Sequence, residues 1–245
     1  MKKPILLFIT LLFLVVSADA NYYGVIARKN AVVASVTLDA VSEAVSVAWG
    51  SSIVWEHVIA ANSNKVLIVV ASSSNGSDDW QTCVWDSGGG SELALTKLTS
   101  QTSDNSYLTM FYSPTEPDAG TKDITCTAAG SSTLIAFGMS IYNAEYATNE
   151  DGSAATGSGV TSISDVLTTN TANSWVVTGG WHYDNEELDT NNGETVRNWD
   201  GEGDFASGIA TELIAATGAQ TFSWDDVEAG TNASFMIVMA EFKPK

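Results

Sequence analysis

Residues 65–72 read KVLIVVAS and form the most apolar stretch of the chain after residue 20. Residues 66–70 are all apolar, and Val and Ile favour extended backbone. A short run that is apolar at every position, rather than at alternate positions, is typical of a strand with no solvent-facing side. The stretch therefore predicts a central β-strand that is buried on both faces.

Other short β-prone runs flank this stretch and are separated by clusters of Gly, Asn, Asp, Ser and Pro, among them DSGGGS, SPTEPDAG and NEDGSAATGSG. Turn signals about every ten residues are typical of a sandwich or barrel. Residues 207–216 could form a short helix, but the flanking β pattern favours a strand. We predict an all-β fold, a two-sheet antiparallel β-sandwich with jelly-roll-like connections. The predicted strands are 31–38, 44–49, 52–60, 65–72, 80–85, 93–98, 106–112, 122–128, 133–142, 161–167, 174–183, 207–216, 220–224 and 233–242.

The N-terminal end has the pattern of a secretory signal peptide. Lys2 and Lys3 precede an apolar run over residues 5–16, and Ala18-Asp19-Ala20 matches a cleavage site. The apolar run is too short to span a bilayer, which takes about 20 residues. We predict a signal peptide over 1–20, a leader segment over 21–48 and one β-sandwich domain over 49–245. The protein is then expected outside the cell, without membrane insertion after cleavage.

The charge is strongly one-sided, with 29 acidic residues against 10 basic ones and a net charge of −19. Such a surface repels nucleic acid and anionic membranes, so neither is an expected partner. The two cysteines, Cys83 and Cys126, predict a disulfide because an even count in an exported chain favours pairing. Two buried free thiols are the alternative.

Residues 182–204, HYDNEELDTNNGETVRNWDGEGD, hold eight carboxylates and one cation, Arg197. Calcium prefers carboxylate and carbonyl oxygens, and residues 200–204 place three carboxylates at alternate positions. The spacing does not fit an EF-hand loop, because position six is Phe205 and position twelve is Thr211. No cofactor is expected, with weak calcium binding as a side hypothesis; the alternative is a solvated acidic loop. The candidate ligands are Asp184, Asp200, Glu202 and Asp204.

Two sets of residues are candidates for catalysis and for sugar binding. A Ser-His-acid triad would need His57 or His182, the only histidines, and the chain has no G-x-S-x-G motif. We therefore predict no enzyme activity and no catalytic residues. Three of the eight tryptophans lie in the acidic half at strand ends or in loops and could stack on sugars, or they could be core residues. These are Trp181, Trp199 and Trp224.

The leader carries a β-prone run, AVVASVTL at 31–38, free of Pro and Gly. Such a run can add to the sheet of a neighbouring copy, with main-chain hydrogen bonds and alternate side chains filling pockets. Val33, Ser35 and Thr37 would lie on one face of the added strand, and Val32, Ala34, Val36 and Leu38 on the other; the alternative is that 31–38 is the first strand of its own domain. The candidate self-association residues are Val32, Val33, Ala34, Val36 and Leu38.

Three motifs together resemble a known family: NKVLIVV at 64–70, FYSP at 111–114 and FKP at 242–244. The chain is similar over residues 35–245 to exported bacterial and phage-associated β-sandwich surface domains. That resemblance implies the sandwich fold but no catalytic residues, since the family has no defined biochemical activity. The two cysteines and the acidic stretch depart from the family pattern. The expected function is a secreted structural protein that polymerises with itself, with a carbohydrate-binding module, and less so a polysaccharide hydrolase, as the alternatives.

Overall fold

The described part of the computed structural model is built from β-strands. It covers residues 35–42, 45–74, 80–103, 105–155, 160–184, 187–190, 192–202, 205–226 and 234–245. These residues form no helix, and every paired strand is antiparallel, which confirms the all-β prediction. The strands are β1 (Thr37–Val41), β2 (Val45–Ile59), β3 (Val66–Ser74), β4 (Trp80–Trp85), β5 (Leu93–Ala94), β6 (Thr96–Ser103), β7 (Ser106–Tyr112), β8 (Gly120–Tyr142), β9 (Ala144–Ala155), β10 (Ser162–Thr169), β11 (Ser174–His182), β12 (Leu188–Asp189), β13 (Thr195–Glu202), β14 (Phe205–Ile214), β15 (Gly218–Asp226) and β16 (Phe235–Pro244).

The strands form three sheets, where two were predicted. The largest has the order β5-β4-β8-β3-β7-β6, with β1 and β2 also paired to β8. The second has the order β13-β14-β11-β16-β9, and the third has the order β10-β15-β12. The two larger sheets share one buried cluster, to which β3 and β7 contribute from one side and β11, β14 and β16 from the other.

The predicted central strand, residues 65–72, corresponds to β3, and all nine residues of β3 are buried. It pairs with β7 on one side and β8 on the other. Ile68 and Val70 point into the cluster between the larger sheets, whereas Leu67 and Val69 point into a second cluster behind the sheet. The prediction of a central strand buried on both faces is confirmed.

The second cluster is covered because the largest sheet folds back on itself. The 23-residue strand β8 pairs with β3 through residues 133–141 and with β4 and the end of β2 through residues 120–128. We call β4, β5, residues 51–59 of β2 and residues 120–128 of β8 the first outer layer. Its Cys83 and Cys126 lie opposite each other on β4 and β8 and are joined, which confirms the predicted disulfide.

The five-stranded sheet is also covered on its far side. Phe235, Ile237 and Met239 of β16 pack there against Phe222 and Trp224 of β15. We call the three-stranded sheet of β10, β12 and β15 the second outer layer. Each of the two larger sheets is thus buried on both faces, which explains why strands near the centre read as continuous apolar runs.

Two kinds of strand differ from the predicted ones. Residues 44–49 and 52–60 join into β2, and residues 122–128 and 133–142 join into β8, because the intervening small residues bend the strands without ending them. Strand β9 was not predicted, and its residues 149–155 were predicted as part of the turn cluster NEDGSAATGSG. It is polar because it is an edge strand, paired only with β16 among the described residues.

Candidate functional site

The described part of the predicted leader forms β1 and the start of β2, and β1 adds to the largest sheet beside β8. Thr37 lies opposite Tyr142 and Leu38 opposite Ile141. Val36 is 3 % exposed and belongs to the cluster between the larger sheets, and Leu38 packs against that cluster. The other proposed self-association residues, Val32, Val33 and Ala34, lie outside the described residues. In its place beside β8, β1 thus makes both main-chain and side-chain contacts. We call this place the β1 slot.

Asp39 fixes β1 by its carboxylate. Its Oδ2 accepts hydrogen bonds from the Ala60 amide at 2.9 Å and from the Ser140 hydroxyl at 2.9 Å. Its Oδ1 accepts one from the Asn62 side chain at 3.3 Å. Ser42 follows β1, and its amide donates to the Gly138 carbonyl at 2.8 Å. Residues far along the sequence therefore supply the acceptors and donors that hold β1.

The Asp39 network also contains one of the two histidines that a catalytic triad would need. His57 Nε2 lies 3.1 Å from the Ser140 hydroxyl oxygen, and that hydroxyl donates to Asp39. The serine is thus an acceptor for the Nε2–H of His57, whereas a nucleophilic serine donates its proton to histidine. His57 is 2 % exposed, and burial lowers its pKa to about 4 although Asp39 opposes the shift. This arrangement suits a buried structural link.

His182, the second histidine, lies at the end of β11. It is fully buried, its ring packs 4.3 Å from that of Phe235, and its Nε2 is 3.8 Å from Asp226 Oδ2. Burial lowers the pKa of His182, whereas Asp226 and Asp184 act in the opposite direction. The imidazole is therefore favoured in its neutral form, packed between strands and away from solvent.

The acidic stretch does not bring its candidate calcium ligands together on one strand pair. Asp200 and Glu202 lie on β13 and Asp184 follows β11, with β14 between these two strands. Asp204 lies outside the described residues. Burial raises the pKa of Asp200, with a hydrogen bond from the Gly201 amide opposing the shift and Glu202 adding to it. Among the described residues, no group of three His, Cys, Asp or Glu side chains could hold a metal ion.

The tryptophan platform needs correction at two of its three residues. Trp181 is fully buried between the larger sheets, and Trp224 is fully buried beneath the second outer layer. A ring without exposed surface cannot stack on a sugar. Trp224 fits there because its ring lies over Gly180 and Gly208 of neighbouring strands, where a Cβ atom would come within 3 Å of it. Trp199 is 37 % exposed and stays available.

Sequence reasoning missed two features that the fold assembles. Asp39, Ser140 and His57 are about 20 to 100 residues apart in the chain, and no local spacing pairs them. Tyr112 and Tyr146 come from different sheets yet lie with ring centroids 4.7 Å apart. Tyr112 was predicted at the end of a strand and in the FYSP turn, whereas Tyr146 lies between a predicted strand and the turn cluster that begins at Asn149.

Comparison with known proteins assigns no relative to this fold. No protein-family model, no curated protein and no solved structure matches the chain. The resemblance to exported β-sandwich surface domains therefore stays a prediction from the three motifs. Among the described residues, no helix is long and apolar enough to cross a membrane.

Proposed function

We propose that this chain is an exported, non-catalytic structural protein that assembles with copies of itself by donating its N-terminal strand. The observation that carries the proposal is the β1 slot. In it, Val36 fills a place in the main core and β1 pairs with β8. A neighbouring copy could supply the same residues to the same place. Exchange of an identical element between copies is a low-cost route to assembly, because every native contact is kept.

The contacts of β1 support such an exchange. Asp39 bonds to Ala60, 21 residues away, and to Ser140, 101 residues away. Neither contact depends on the short connection, residues 42–44, that links β1 to β2. A strand from another molecule would find the same amide, hydroxyl and apolar pocket. Main-chain pairing would supply affinity, and Val36 and Asp39 would supply the register.

The absence of catalysis in this proposal is supported by the state of the histidines. Both histidines of the chain are at least 98 % buried, and burial lowers the pKa of each. General acid–base catalysis requires a group within reach of the substrate. The Ser140 hydroxyl is also fully buried and donates to Asp39 rather than to His57. No substrate could reach these atoms without opening the sheet.

Export is supported by two features. The first twenty residues have the pattern of a signal peptide, and the Cys83–Cys126 disulfide suits an oxidising compartment. We further infer a sandwich fold, supported by the cluster that the two larger sheets share. We also propose jelly-roll-like connectivity and an N-terminal leader strand.

Locking β1 in its own molecule tests the proposal. The chain without its signal peptide is examined by light scattering and negative-stain microscopy, beside a variant with Thr37→Cys and Tyr142→Cys. These two residues face each other on β1 and β8. We expect filaments from the natural sequence and from the reduced variant, and monomers from the oxidised variant.

Two results would overturn the proposal. One is a natural chain that stays monomeric at every concentration examined, since β1 would then be an ordinary first strand. The other is assembly that persists in the oxidised variant, since the copies would then join through a different surface. The single variant Tyr142→Cys is the matched control for the effect of replacing the tyrosine.

A further inference from the structure

An open cleft lies where the ends of the two larger sheets meet. It holds about 590 Å³ of empty space, part of it open to solvent. Its lining comes from the end of β7, the starts of β3 and β9, the loops beside them and Lys245, which follows β16. We call it the tyrosine cleft; six of its lining residues are Lys65, Tyr112, Glu116, Glu145, Tyr146 and Thr148.

The two tyrosines give the cleft an aromatic wall. Tyr112 ends β7 in the largest sheet and Tyr146 lies on β9 in the five-stranded sheet. Their ring centroids are 4.7 Å apart with planes tilted by 46°, and Tyr146 is backed by Phe242 at 5.9 Å. Both rings are half-buried and packed against the main core, so their positions are fixed while part of each faces the cleft. Fixed aromatic rings with polar tips are economical binding surfaces.

Paired charges surround the tyrosines. Lys65 Nζ lies 3.2 Å from Glu116 Oε1, and the Lys65 side chain is only 9 % exposed. Glu145 Oε1 lies 3.0 Å from Lys243 Nζ across the β9–β16 pair. In each pair an ammonium lies beside a carboxylate, so the pair has little net charge; Lys65, Glu116 and Glu145 line the cleft itself. This is notable in a protein whose net charge is −19.

We propose that the tyrosine cleft binds a neutral oligosaccharide chain. A sugar ring has an apolar face that packs on an aromatic ring, and vicinal hydroxyls that need a donor and an acceptor close together. An anionic or a cationic ligand would have to compete with the partner that each of Lys65, Glu116 and Glu145 already has. A purely apolar ligand would leave these charges desolvated at a cost. A neutral polyol can hydrogen-bond to the paired groups and leave both ion pairs intact.

The backbone at the cleft rim adds an independent observation. Thr148 has a φ of 59°, which is unfavourable for a β-branched residue. It lies at an irregularity in the β9–β16 pairing, between the partners of Ala240 and Phe242. Backbone strain of this kind concentrates at binding sites, where the surrounding structure holds it. Thr148 lines the cleft together with Tyr146.

Affinity electrophoresis of the chain without its signal peptide tests the inference. The gels contain hydroxyethyl cellulose, galactomannan, arabinoxylan or amylopectin as neutral polymers, and alginate as an anionic one. We expect retardation by at least one neutral polymer. Titration with oligosaccharides of that polymer should show affinity lowered by about tenfold, a loss of one good contact, in Tyr112→Ala and Tyr146→Ala. Tyr146→Phe keeps the ring and should change affinity by less than about threefold.

Matched variants separate the cleft from other surfaces and from misfolding. Tyr183→Ala and Trp199→Ala alter exposed aromatic residues elsewhere and should bind like the natural chain. Glu116→Gln changes a side chain that is 46 % exposed, so it should stay folded while affinity falls. Retardation by none of the neutral polymers, or by alginate alone, would refute the inference. So would unchanged binding by folded Tyr146→Ala and Glu116→Gln, or loss of binding in Trp199→Ala.

Discussion

The two outer layers cover the faces of the larger sheets in different ways. The first outer layer continues the strands of the sheet that it covers, because β2 and β8 run through both, and the Cys83–Cys126 disulfide joins two of its strands. The second outer layer is a separate three-stranded sheet, and neither of the two cysteines lies in it. It is held by the cluster in which Phe222 and Trp224 pack on the five-stranded sheet.

This difference shows what fixes the position of each outer layer. In the first, covalent continuity and the cross-link fix the position, so the packing beneath can include a buried polar network around His57. In the second, position depends on the fit of one indole over two glycines, Gly180 and Gly208. The first layer should therefore respond most to loss of its cross-link and to protonation, and the second to changes in side-chain volume.

Removing the disulfide should have the largest effect. In the chain-entropy model, a cross-link between cysteines 43 residues apart stabilises the fold by about 4 kcal/mol. We expect the double variant Cys83→Ala, Cys126→Ala to lose about that free energy of unfolding in urea titrations. A loss below about 1 kcal/mol would mean that the continuous strands alone fix the first outer layer.

Acid should weaken the first outer layer through His57. Its pKa is about 4 in the folded chain and about 6.5 when unfolded, so the unfolded state takes up the proton first as pH falls. The contribution of neutral His57 to the free energy of unfolding is complete above pH 6.5, is lost between pH 6.5 and about 4, and changes no further below pH 4. The size of the loss is about 3 kcal/mol.

A matched pair of variants isolates this titration from that of the carboxylates. His57→Gln keeps a donor toward Ser140 but cannot take up a proton. The difference in unfolding free energy between pH 7 and pH 4 should be smaller in His57→Gln than in the natural chain by about 3 kcal/mol. His182→Asn should change the pH dependence in the same direction, since burial also lowers that pKa. Equal pH dependence in His57→Gln and the natural chain would contradict the prediction.

Added volume should act on the second outer layer. A Cβ at Gly180 would lie 2.3 Å from a ring atom of Trp224, so the indole or the strand must move. We expect Gly180→Ala to lower the free energy of unfolding by about 2–3 kcal/mol, as overpacking of a core does. Gly90→Ala is the control, because no atom lies within 4 Å of its Cβ position. A similar effect of the two substitutions would show that Trp224 does not set the position of this layer.

The sequence predicted the strands whose side chains are apolar, and it did so well at the centre. β4 and β7 begin and end as predicted, and β3 is buried on both faces because its apolar run is uninterrupted. Strand β9 was missed because an edge strand needs few apolar residues and can carry turn-like ones. The merging of predicted strands into β2 and β8 was missed because small residues permit a bend as readily as a turn.

The functional surfaces were less predictable for a topological reason. Trp181 and Trp224 lie next to turns in the sequence, and this position suggested that their rings are exposed. Trp224 is buried by the third sheet, whose strands have no distinctive local pattern. The network of Asp39, Ser140 and His57 joins three strands, and the tyrosine cleft joins two sheets. Such pairings depend on strand order, which one sequence does not state.

The smallest expected difference concerns two carboxylates that act as anchors, one near each outer layer. Glu241 is fully buried and accepts hydrogen bonds from the amides of Asn170 and Thr171 at 2.9 Å each, which fixes the turn between β10 and β11. Asp39 makes similar bonds but is partly exposed. Water can replace a lost acceptor at Asp39 and not at Glu241. We therefore expect Glu241→Gln to cost about 2 kcal/mol and Asp39→Asn about 1 kcal/mol in the same urea titration. The reverse order would mean that β1 is the more tightly held element and would weaken the case for its exchange between copies.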